Sequence, residues 1–445
     1  SYLLCGTAAD APFRCEGSRW ELSEDRAAVE LPELSLRVTR TMRACDGGAE
    51  ESIEFYNYGE KKLRFSTIKL GWLLPLQELT LHAIPFTVQQ DGWRHMYSAE
   101  TLRCGEHFQI VNNRLPEQPG RYFGNSVYSD PSRPEPPLCE EGLLRSEAWF
   151  WGTERGGLLA AKYNNRDIEY AVAEPVGPAR EELQLGGVGF CLYHEPSAAQ
   201  ELDAGQRFRF GSTFYYQADD LTRACGLYRA LLDRKGHALP SDYAPKVHWN
   251  ELYDIGWYHS DRAALNRSYT LPALLREAQK AHECGCGALY LDPGWEFAEG
   301  TTFFDYHRLG DETELVKTLR EQYGLSLAIR IILRTYVNYW PDALNAVHTP
   351  DGFASACMLP RTIIPSNQLL YEQCLCNEPF RKEKERRADK LAQDGAYFIM
   401  LDEMDWRGPC YHPGHGHARP STAYEHADAV CRLAKHIKNT NHIQV

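Results

Sequence analysis

The sequence lacks the features of a membrane-spanning chain or a nucleic-acid-binding protein. No window holds about 18 consecutive apolar residues, the length that a helix needs to cross a bilayer. Basic residues are in the minority, with 48 Lys and Arg against 61 Asp and Glu, which gives a formal net charge of -13. We therefore expect a soluble protein that has neither a nucleic acid nor a membrane as its partner.

The sequence also lacks the cysteine density of a disulfide scaffold and the spacing of common zinc motifs. Fourteen cysteines in 445 residues are too few for a disulfide-rich domain. Two Cys-x-Cys pairs, Cys284/Cys286 and Cys374/Cys376, differ from the Cys-x-x-Cys spacing of zinc sites, and we interpret them as structural. Reduced cysteines favour a cytoplasmic protein. Because the chain does not begin with Met, an export signal that has been removed is the alternative.

The pattern of apolar residues changes near residue 240. Before this point, short alternating segments such as 34–38 and 52–56 are separated by Gly, Pro, Asn and Asp, which is typical of a β-sandwich. A helical pattern over 219–235 and a linker follow. Since 445 residues exceed what one core usually supports, we predict an N-terminal β-sandwich domain with a C-terminal linker helix over 1–240.

After residue 240, predicted strands and helices alternate. The strands are predicted at 247–257, 288–292, 325–333, 397–402 and from 442, and the helices from about 271 and at 312–323, 380–393 and 424–438. This alternation predicts a parallel sheet covered on both faces, either doubly wound or closed into a barrel. The stretch 335–376 is longer than an ordinary connection, which indicates a functional excursion.

Three predicted strands end in carboxylates and aromatic residues. These residues are Trp249, Glu251, Asp292, Trp295, Asp402 and Glu403. In a (β/α) barrel the carboxyl ends of all strands meet at one face, so these side chains would line one pocket. Carboxylates accept hydrogen bonds from sugar hydroxyls and indole rings pack against sugar C–H groups, so the set predicts a sugar-binding site. The alternative is that the acidic residues only cap turns.

Four segments resemble one enzyme family. Val-His-Trp-Asn at 247–250, Leu-Asp-Pro-Gly-Trp at 291–295 and Ala-Tyr-Phe-Ile-Met-Leu-Asp at 396–402 resemble successive barrel strands of the family 36 α-galactosidases, in the clan of family 27, 31 and 36 glycosidases. Residues 155–163 resemble a strand of that family's sandwich. The resemblance implies a (β/α)8-type (TIM) barrel, of which 241–445 hold about the first half, incomplete at the C-terminus.

The resemblance also implies a function and roles for single residues. The expected reaction is retaining hydrolysis of terminal α-linked sugars in an oligosaccharide or glycoside by double displacement. Asp402 matches the family's nucleophile and Asp292 a ligand of sugar hydroxyls. Trp295 matches an aromatic wall of the sugar site, and Trp249 would form another.

This chain departs from the family pattern at two positions. Pro293 stands where the family has a second Asp, and Met400 stands where many relatives carry a Lys. The sugar therefore stays open between galactose, N-acetylgalactosamine, glucose and a substituted sugar.

The acid/base carboxyl of the family lies on a later strand than any predicted here. We therefore expect a missing segment or a second polypeptide to complete the barrel and supply this group, and a homo-oligomer is a further partner that the resemblance suggests. If the 445 residues alone were active, Glu251, Glu403 or Asp405 would be the candidate acid.

Two arginines on or after the third strand are unusual in an apolar strand. Arg334 could bind an acidic substituent of the substrate or pair with a carboxylate of the sheet. For Arg330, inside the strand, we expect the ion pair.

A histidine-rich loop follows the nucleophile strand. Cys410, His412, His415 and His417 could contact the sugar, orient Asp402, bind a divalent metal or serve structure alone. We assign His415 and His417 to the substrate, and we assign no residue to a metal or other cofactor.

Three functions compete at this point. A retaining α-glycosidase is favoured over a non-catalytic carbohydrate-binding relative and over a metal-dependent hydrolase or lyase built on His412, His415 and His417. A nicotinamide-dependent enzyme is not expected, because no Gly-x-Gly-x-x-Gly turn follows a strand in the second half of the chain.

Overall fold

The chain forms two compact units, Ser1–Leu239 and Pro240–Val445. The computed structural model describes residues 1–9, 11–17, 20–75, 80–83, 86–90, 93–95, 97–99, 110–112, 144–153, 156–166, 169–176, 182–191, 201–255, 262–298, 300–333, 335–336, 345–352, 356–357, 370–371, 373–404 and 409–445. Among the helices of these residues, none has the length and apolar character that crossing a membrane requires.

The first unit is built from antiparallel strands. They are β1 (Tyr2–Ala8), β2 (Ala11–Glu16), β3 (Glu21–Leu22), β4 (Arg26–Leu31), β5 (Leu36–Cys45), β6 (Gly48–Asn57), β7 (Leu63–Pro75), β8 (Thr80–Ala83), β9 (Phe86–Gln90), β10 (Trp93–His95), β11 (Tyr97–Ala99), β12 (Ile110–Asn112), β13 (Leu144–Ser146), β14 (Ala148–Thr153), β15 (Gly156–Tyr163), β16 (Tyr170–Val176), β17 (Glu182–Cys191), β18 (Glu201–Leu202), β19 (Arg207–Arg209) and β20 (Ser212–Ala218). Helix α1 (Leu221–Leu232) follows, and its first turn is capped by the Asp220 carboxylate, which accepts the backbone N–H of Arg223.

Two large antiparallel sheets share a core in this unit. Their strand orders are β10-β9-β13-β16-β17-β7-β1-β2 and β3-β4-β5-β6-β20-β15-β14-β8. One buried apolar cluster draws Leu4, Ile68 and Leu70 from the first sheet and Val38 and Phe55 from the second. Because successive side chains of a strand point to opposite faces, each sheet can place one apolar face in this cluster.

A buried ion pair lies within this unit. The side chains of Arg40 on β5 and Glu51 on β6 form a salt bridge and are 9% and 0% exposed. The Tyr215 hydroxyl donates to Glu51 Oε2 at 2.5 Å, and the Arg40 guanidinium lies 4.0 Å from the ring centroid of Trp72. The carboxylate therefore has a charged and a neutral donor, which is what a charge removed from water requires.

Glu51→Ala should lower the free energy of unfolding of this unit by about 3–5 kcal/mol, because it leaves the Arg40 charge buried without its carboxylate. The matched control is Glu54→Ala on the same strand, where Glu54 pairs with Arg207 in a much more exposed salt bridge. Its loss should stay below about 1 kcal/mol. Urea denaturation followed by Trp fluorescence compares the two variants, and equal losses would contradict the prediction.

The second unit alternates strands and helices. Its strands are β21 (His248–Asn250), β22 (Ala288–Leu291), β23 (Ser326–Ile332), β24 (Thr335–Tyr336), β25 (Ala356–Cys357), β26 (Leu370–Tyr371) and β27 (Ala396–Asp402). Its helices are α2 (Leu252–Ile255), α3 (Arg262–Ser268), α4 (Leu271–Glu283), α5 (Tyr306–Leu309), α6 (Glu312–Tyr323), α7 (Glu378–Asp394) and α8 (Ala423–Asn441). Strands β24, β26 and β25 form a small separate sheet within the long stretch 335–376.

Local capping explains where the long helices begin and end. The Asp311 carboxylate accepts the first backbone N–H groups of α6, and Gly324 ends this helix in the left-handed conformation. Thr422 and Glu425 form a reciprocal capping box at the start of α8.

The first predicted strand, 247–257, needs correction, since α2 follows β21 almost directly. The Asn250 side chain accepts the Leu252 N–H, which turns the chain out of the extended conformation.

Strands β21, β22, β23 and β27 form a parallel sheet, in which their spatial order is the same as their order along the chain. Each strand is added on the same side of the preceding one, whereas a doubly wound sheet reverses its order at a switch point. The end of the chain continues the series. The Ile399 N–H donates to the Gln444 carbonyl and the Gln444 N–H to the Tyr397 carbonyl, both at 3.0 Å. The predicted fifth strand thus begins beside the fourth, in parallel orientation.

The two faces of the parallel sheet have different neighbours. The face packed in the large apolar core of this unit carries Leu289, Leu291, Leu327, Ile329, Ile399 and Leu401. The other face carries a smaller cluster of Ala288, Tyr290, Ala328 and Phe398. Because side chains alternate along a strand, Asp292, Arg330 and Asp402 belong to the face of the smaller cluster, each an even number of positions from one of its members.

Candidate active site

Arg330 joins carboxylates from neighbouring strand ends. Its Nε lies 2.6 Å from Asp402 Oδ2 and 3.4 Å from Asp292 Oδ1, and its Nη2 lies 4.0 Å from Glu403 Oε1. Only 6% of the Arg330 side chain is exposed. The ion pair expected for Arg330 is therefore present, and it brings the predicted carboxylates to one place.

Asp402 is held through both of its oxygens and is still accessible. Oδ2 accepts the hydrogen bond from Arg330, and Oδ1 accepts the backbone N–H of Glu403 at 2.8 Å. Glu403 has a φ of 50°, a left-handed conformation that costs a non-glycine residue about 1–3 kcal/mol. This turn at the end of β27 aims the N–H back at Asp402. The Asp402 side chain is 41% exposed, so its carboxylate is both oriented and open to a substrate.

Asp292 is fixed from both sides. Its Oδ2 accepts a hydrogen bond from Asn250 Nδ2 at 2.7 Å, and its Oδ1 faces Arg330. Its backbone N–H donates to Glu251 Oε1 at 2.9 Å. Asn250, Asp292, Arg330 and Asp402 thus form a row across four adjacent strands.

Glu251 lies behind this row and is fully buried. Its Oε1 accepts hydrogen bonds from the Tyr269 hydroxyl at 2.6 Å and from the Asp292 N–H at 2.9 Å. Burial raises the pKa of Glu251 to about 8, the Asp292 charge adds to the rise, and the Tyr269 hydrogen bond opposes it. We predicted a substrate contact for Glu251. The structure instead places it where it supports the Asp292 backbone, without surface for a sugar.

The two predicted aromatic walls need correction, because both rings pack with the large apolar core of this unit. Trp295 is fully buried, packs beside Phe304 and donates its indole N–H to the Arg330 carbonyl at 2.8 Å. Trp249 packs against the large core, and its indole N–H donates to Glu277 of α4 at 3.0 Å. Side-chain alternation places residue 249 on the face opposite Asn250. Both tryptophans therefore support the strands from behind.

The remaining predicted residues divide into three groups. Glu403 lies beside Asp402 and within 4.0 Å of Arg330. Arg334 and Asp405 lie outside the described residues. His415 and His417 lie in another cluster of side chains.

This second cluster unites the histidine loop with a cysteine from another segment. The ligand atoms of Cys374, Cys410, His415 and His417 all lie within 4.8 Å of one another. The loop follows β27, and Cys374 ends the long stretch after β23, so both segments leave the carboxyl ends of parallel strands. From the sequence, Cys374 was considered only within the Cys374/Cys376 pair and interpreted as structural, because its distance from Cys410 fits no short motif. The signal that could have joined Cys374 to Cys410 is that both cysteines follow strands of the same sheet.

Known proteins resemble this chain in structure and not in sequence. No family model matches it, and no curated protein does. The solved GH36 α-galactosidase AgaA from Geobacillus stearothermophilus aligns over 100% of this chain and 58% of its own, with a TM-score of 0.53 and 13% identity. The galactosidase domain of the α-galactosidase-sucrose kinase AgaSK aligns over 100% and 57%, with a TM-score of 0.54 and 13% identity.

The chain shares the fold of GH36 α-galactosidases. The α-galactosidase TtGalA from Thermus thermophilus agrees, with a TM-score of 0.50 and 14% identity over 91% of this chain and 67% of its own. The chain spans less than two thirds of the length of AgaA and of the AgaSK domain. The likeness therefore concerns the architecture of the part that this chain covers.

Glu251 predicts a stability that depends on pH. Its pKa rises from a usual 4.5 to about 8 on folding, so the folded state holds the proton more tightly than the unfolded state. The resulting stability is fully present below about pH 4.5 and is lost as the pH rises through 8, by up to about 1.4 kcal/mol per pH unit.

Glu251→Gln should remove this part of the pH dependence, because the amide keeps an oxygen acceptor for Tyr269 and Asp292 and does not ionise. Urea denaturation of both proteins between pH 5 and 9 gives the two slopes. Parallel slopes would show that Glu251 is ionised in the folded protein.

Proposed function

We propose that this chain belongs to a retaining α-glycosidase of the α-galactosidase type, in which a β-sandwich precedes a (β/α) barrel that begins with β21, β22, β23 and β27. The observation that carries the proposal is the row of Asn250, Asp292, Arg330 and Asp402 at the carboxyl ends of parallel strands in chain order. That is the end of a (β/α) barrel where catalytic residues collect. The shared fold with GH36 α-galactosidases supports the same function.

Asp402 is the proposed nucleophile. Double displacement requires a carboxylate oriented toward the anomeric carbon, and an oriented group avoids part of the entropy cost of the reaction. The hydrogen bonds from Arg330 and from the Glu403 N–H fix Asp402, while 41% of its side chain stays exposed.

Arg330 is proposed as the cation of the site. It lies opposite Met400 in the register of β23 and β27. Many family 36 relatives carry a lysine at the position of Met400, so the guanidinium supplies a positive charge beside that position from the neighbouring strand. An arginine there also holds two carboxylates at once, which the single ammonium of lysine does with less directional control.

The proposed substrate is a terminal α-galactoside or a related α-linked sugar. AgaA has been solved in complex with stachyose and TtGalA with p-nitrophenyl α-D-galactopyranoside. Asp292 is the proposed acceptor of sugar hydroxyls. Pro293 stands where relatives carry a second carboxylate, next to the position of Asp292. We therefore expect either that the preferred sugar differs from galactose at one hydroxyl position or that the site binds galactose with fewer contacts.

The acid/base is proposed to come from a later strand of the barrel, on a further segment or a second polypeptide. Among the described carboxylates at this end of the sheet, Asp292, Asp402 and Glu403 lie around Arg330, and Glu251 is fully buried. Their arrangement suits binding and nucleophilic attack, and the resemblance to family 36 implies a proton donor on a later strand.

α-Glycosyl fluorides test Asp402 directly, because fluoride leaves without a proton donor. An Asp402 oxygen should bond to the anomeric carbon as the C–F bond breaks and fluoride departs with its electrons. Intact mass spectrometry should show one added glycosyl group and peptide mapping should place it on Asp402. Asp402→Asn should form no adduct and release fluoride at least about a thousandfold more slowly.

The matched control is Asp428→Asn, which alters an exposed ion pair with Arg432 on α8 and should leave fluoride release unchanged. Galactosyl, glucosyl and N-acetylgalactosaminyl fluorides in the same assay identify the sugar. An adduct on another residue, or full activity of Asp402→Asn, would show the proposed mechanism to be wrong. Sugar binding without fluoride release would favour a non-catalytic carbohydrate-binding protein.

A further inference from the structure

Two thiols and two imidazoles converge at the loop that follows β27. We propose that Cys374, Cys410, His415 and His417 bind one structural zinc ion. Their ligand atoms lie within 4.8 Å of one another, and tetrahedral zinc bonds of about 2.0–2.3 Å place ligand atoms about 3.3–3.8 Å apart. Small side-chain rotations are therefore enough to close the shell. Two sulfurs and two nitrogens in this geometry are the ligand set that favours zinc over harder cations.

His417 has the arrangement of a metal-binding imidazole. Its Nδ1 lies 2.6 Å from the carbonyl oxygen of Ala418, so Nδ1 carries the proton and Nε2 carries the lone pair. Nε2 is buried and has no hydrogen-bond partner among the described residues. Histidines that bind metals usually donate their other ring N–H to a carbonyl or carboxylate in this way, which fixes the tautomer.

Cys410 is positioned as a thiolate ligand. Its Sγ accepts the backbone N–H of His348 at 3.4 Å and lies 3.5 Å from His415 Nδ1. The Cys410 N–H donates to Ser421 Oγ at 2.7 Å, and the Ser421 N–H donates to the Cys410 carbonyl at 2.9 Å. These two bonds close the loop at its base, so three of the four ligands are held near one another before any metal binds.

The fourth ligand arrives from the stretch between β23 and α7. Cys374 is buried, and its backbone N–H donates to the Asn345 carbonyl at 2.9 Å. The chain reverses between the two histidines at Gly416, whose φ is 76°, and the ring centroids of His415 and His417 lie 5.9 Å apart. Zinc would thus link two segments that the strand topology leaves at the same end of the sheet.

The ligand set indicates a structural rather than a catalytic metal. Four protein ligands complete a tetrahedron, whereas catalytic zinc keeps one position for water or substrate. Both cysteines are free thiols in the structure, and two thiolates balance the charge of one Zn²⁺. A metal-dependent hydrolase built on this loop is therefore disfavoured, and the zinc site is independent of the role of Asp402.

Zinc content and cobalt spectra of the full 445-residue chain test this inference. After purification without chelator and desalting, elemental analysis should find about one zinc per chain. Replacement by Co²⁺ should give the intense visible bands of tetrahedral cobalt and a thiolate charge-transfer band. Removal of zinc with a chelator should lower Tm by at least about 5 °C and make Cys374 and Cys410 reactive toward iodoacetamide, as read by peptide mass.

Two pairs of variants separate binding from general damage to the fold. His417→Gln and Cys410→Ser should lose zinc and the cobalt spectrum. His412→Gln should retain both, although the His412 ring is stacked 4.0 Å from that of His415, because its Nδ1 already accepts the Gly414 N–H. Cys431→Ser, at an exposed position on α8, should also retain both.

If Cys410→Ser does not fold, His417→Gln and the wild-type cobalt spectrum still decide the matter. The inference is wrong if wild type binds less than about 0.1 zinc per chain after incubation with Zn²⁺, or if peptide mapping finds a Cys374–Cys410 disulfide in metal-free protein purified under reducing conditions. It is also wrong if His417→Gln binds zinc as wild type does.

Discussion

The Arg330 guanidinium holds together the end of the parallel sheet where the candidate active site lies. Asp292, Asp402 and Glu403 approach this one cation from both neighbouring strand ends. Three carboxylates at such separations repel one another unless a cation lies between them. Arg330 is itself almost fully buried and requires carboxylates in return. The apolar core fixes the middle of the sheet, and this mutual requirement fixes its carboxyl end.

The ion pairs also connect the site to the core behind it. The Arg330 carbonyl accepts the indole N–H of the buried Trp295, while Asp292 receives support from Asn250 and Glu251. A displacement of one strand end would break contacts on both faces of the sheet. A site built in this way on regular strands holds its groups in place more firmly than one built on loops, which suits a nucleophile that must meet one carbon atom.

Sequence patterns predict those features of the second unit that depend on local chemistry. Helix α6 has its predicted bounds because Asp311 and Gly324 are strong start and stop signals. Asp292 and Asp402 meet because the carboxyl ends of parallel strands share one edge. The face of each tryptophan was mispredicted, since residue type at a strand end does not identify the face. For Trp249 the alternation of side chains along the strand identifies the face, because Trp249 is adjacent to Asn250 and therefore points to the opposite side of the sheet. Trp295 follows the Pro293-Gly294 turn after β22, where the two-residue alternation of a strand no longer predicts the direction of a side chain.

The contact between Cys374 and the histidine loop is of a different kind, because it depends on how two long connections fold over one end of the sheet. Both connections leave strands that carry the row around Arg330, and the loop from β27 begins with the left-handed turn at Glu403 that donates to Asp402. That turn is strained, and a strained backbone persists only where its surroundings fix both sides of it. Strand β27 and the contacts that Asp402 and Glu403 make with Arg330 surround this turn. A zinc ion joining Cys410, His415 and His417 to Cys374 would link the two connections to each other at this end of the sheet, in a structural role that is separate from the catalytic role proposed for Asp402.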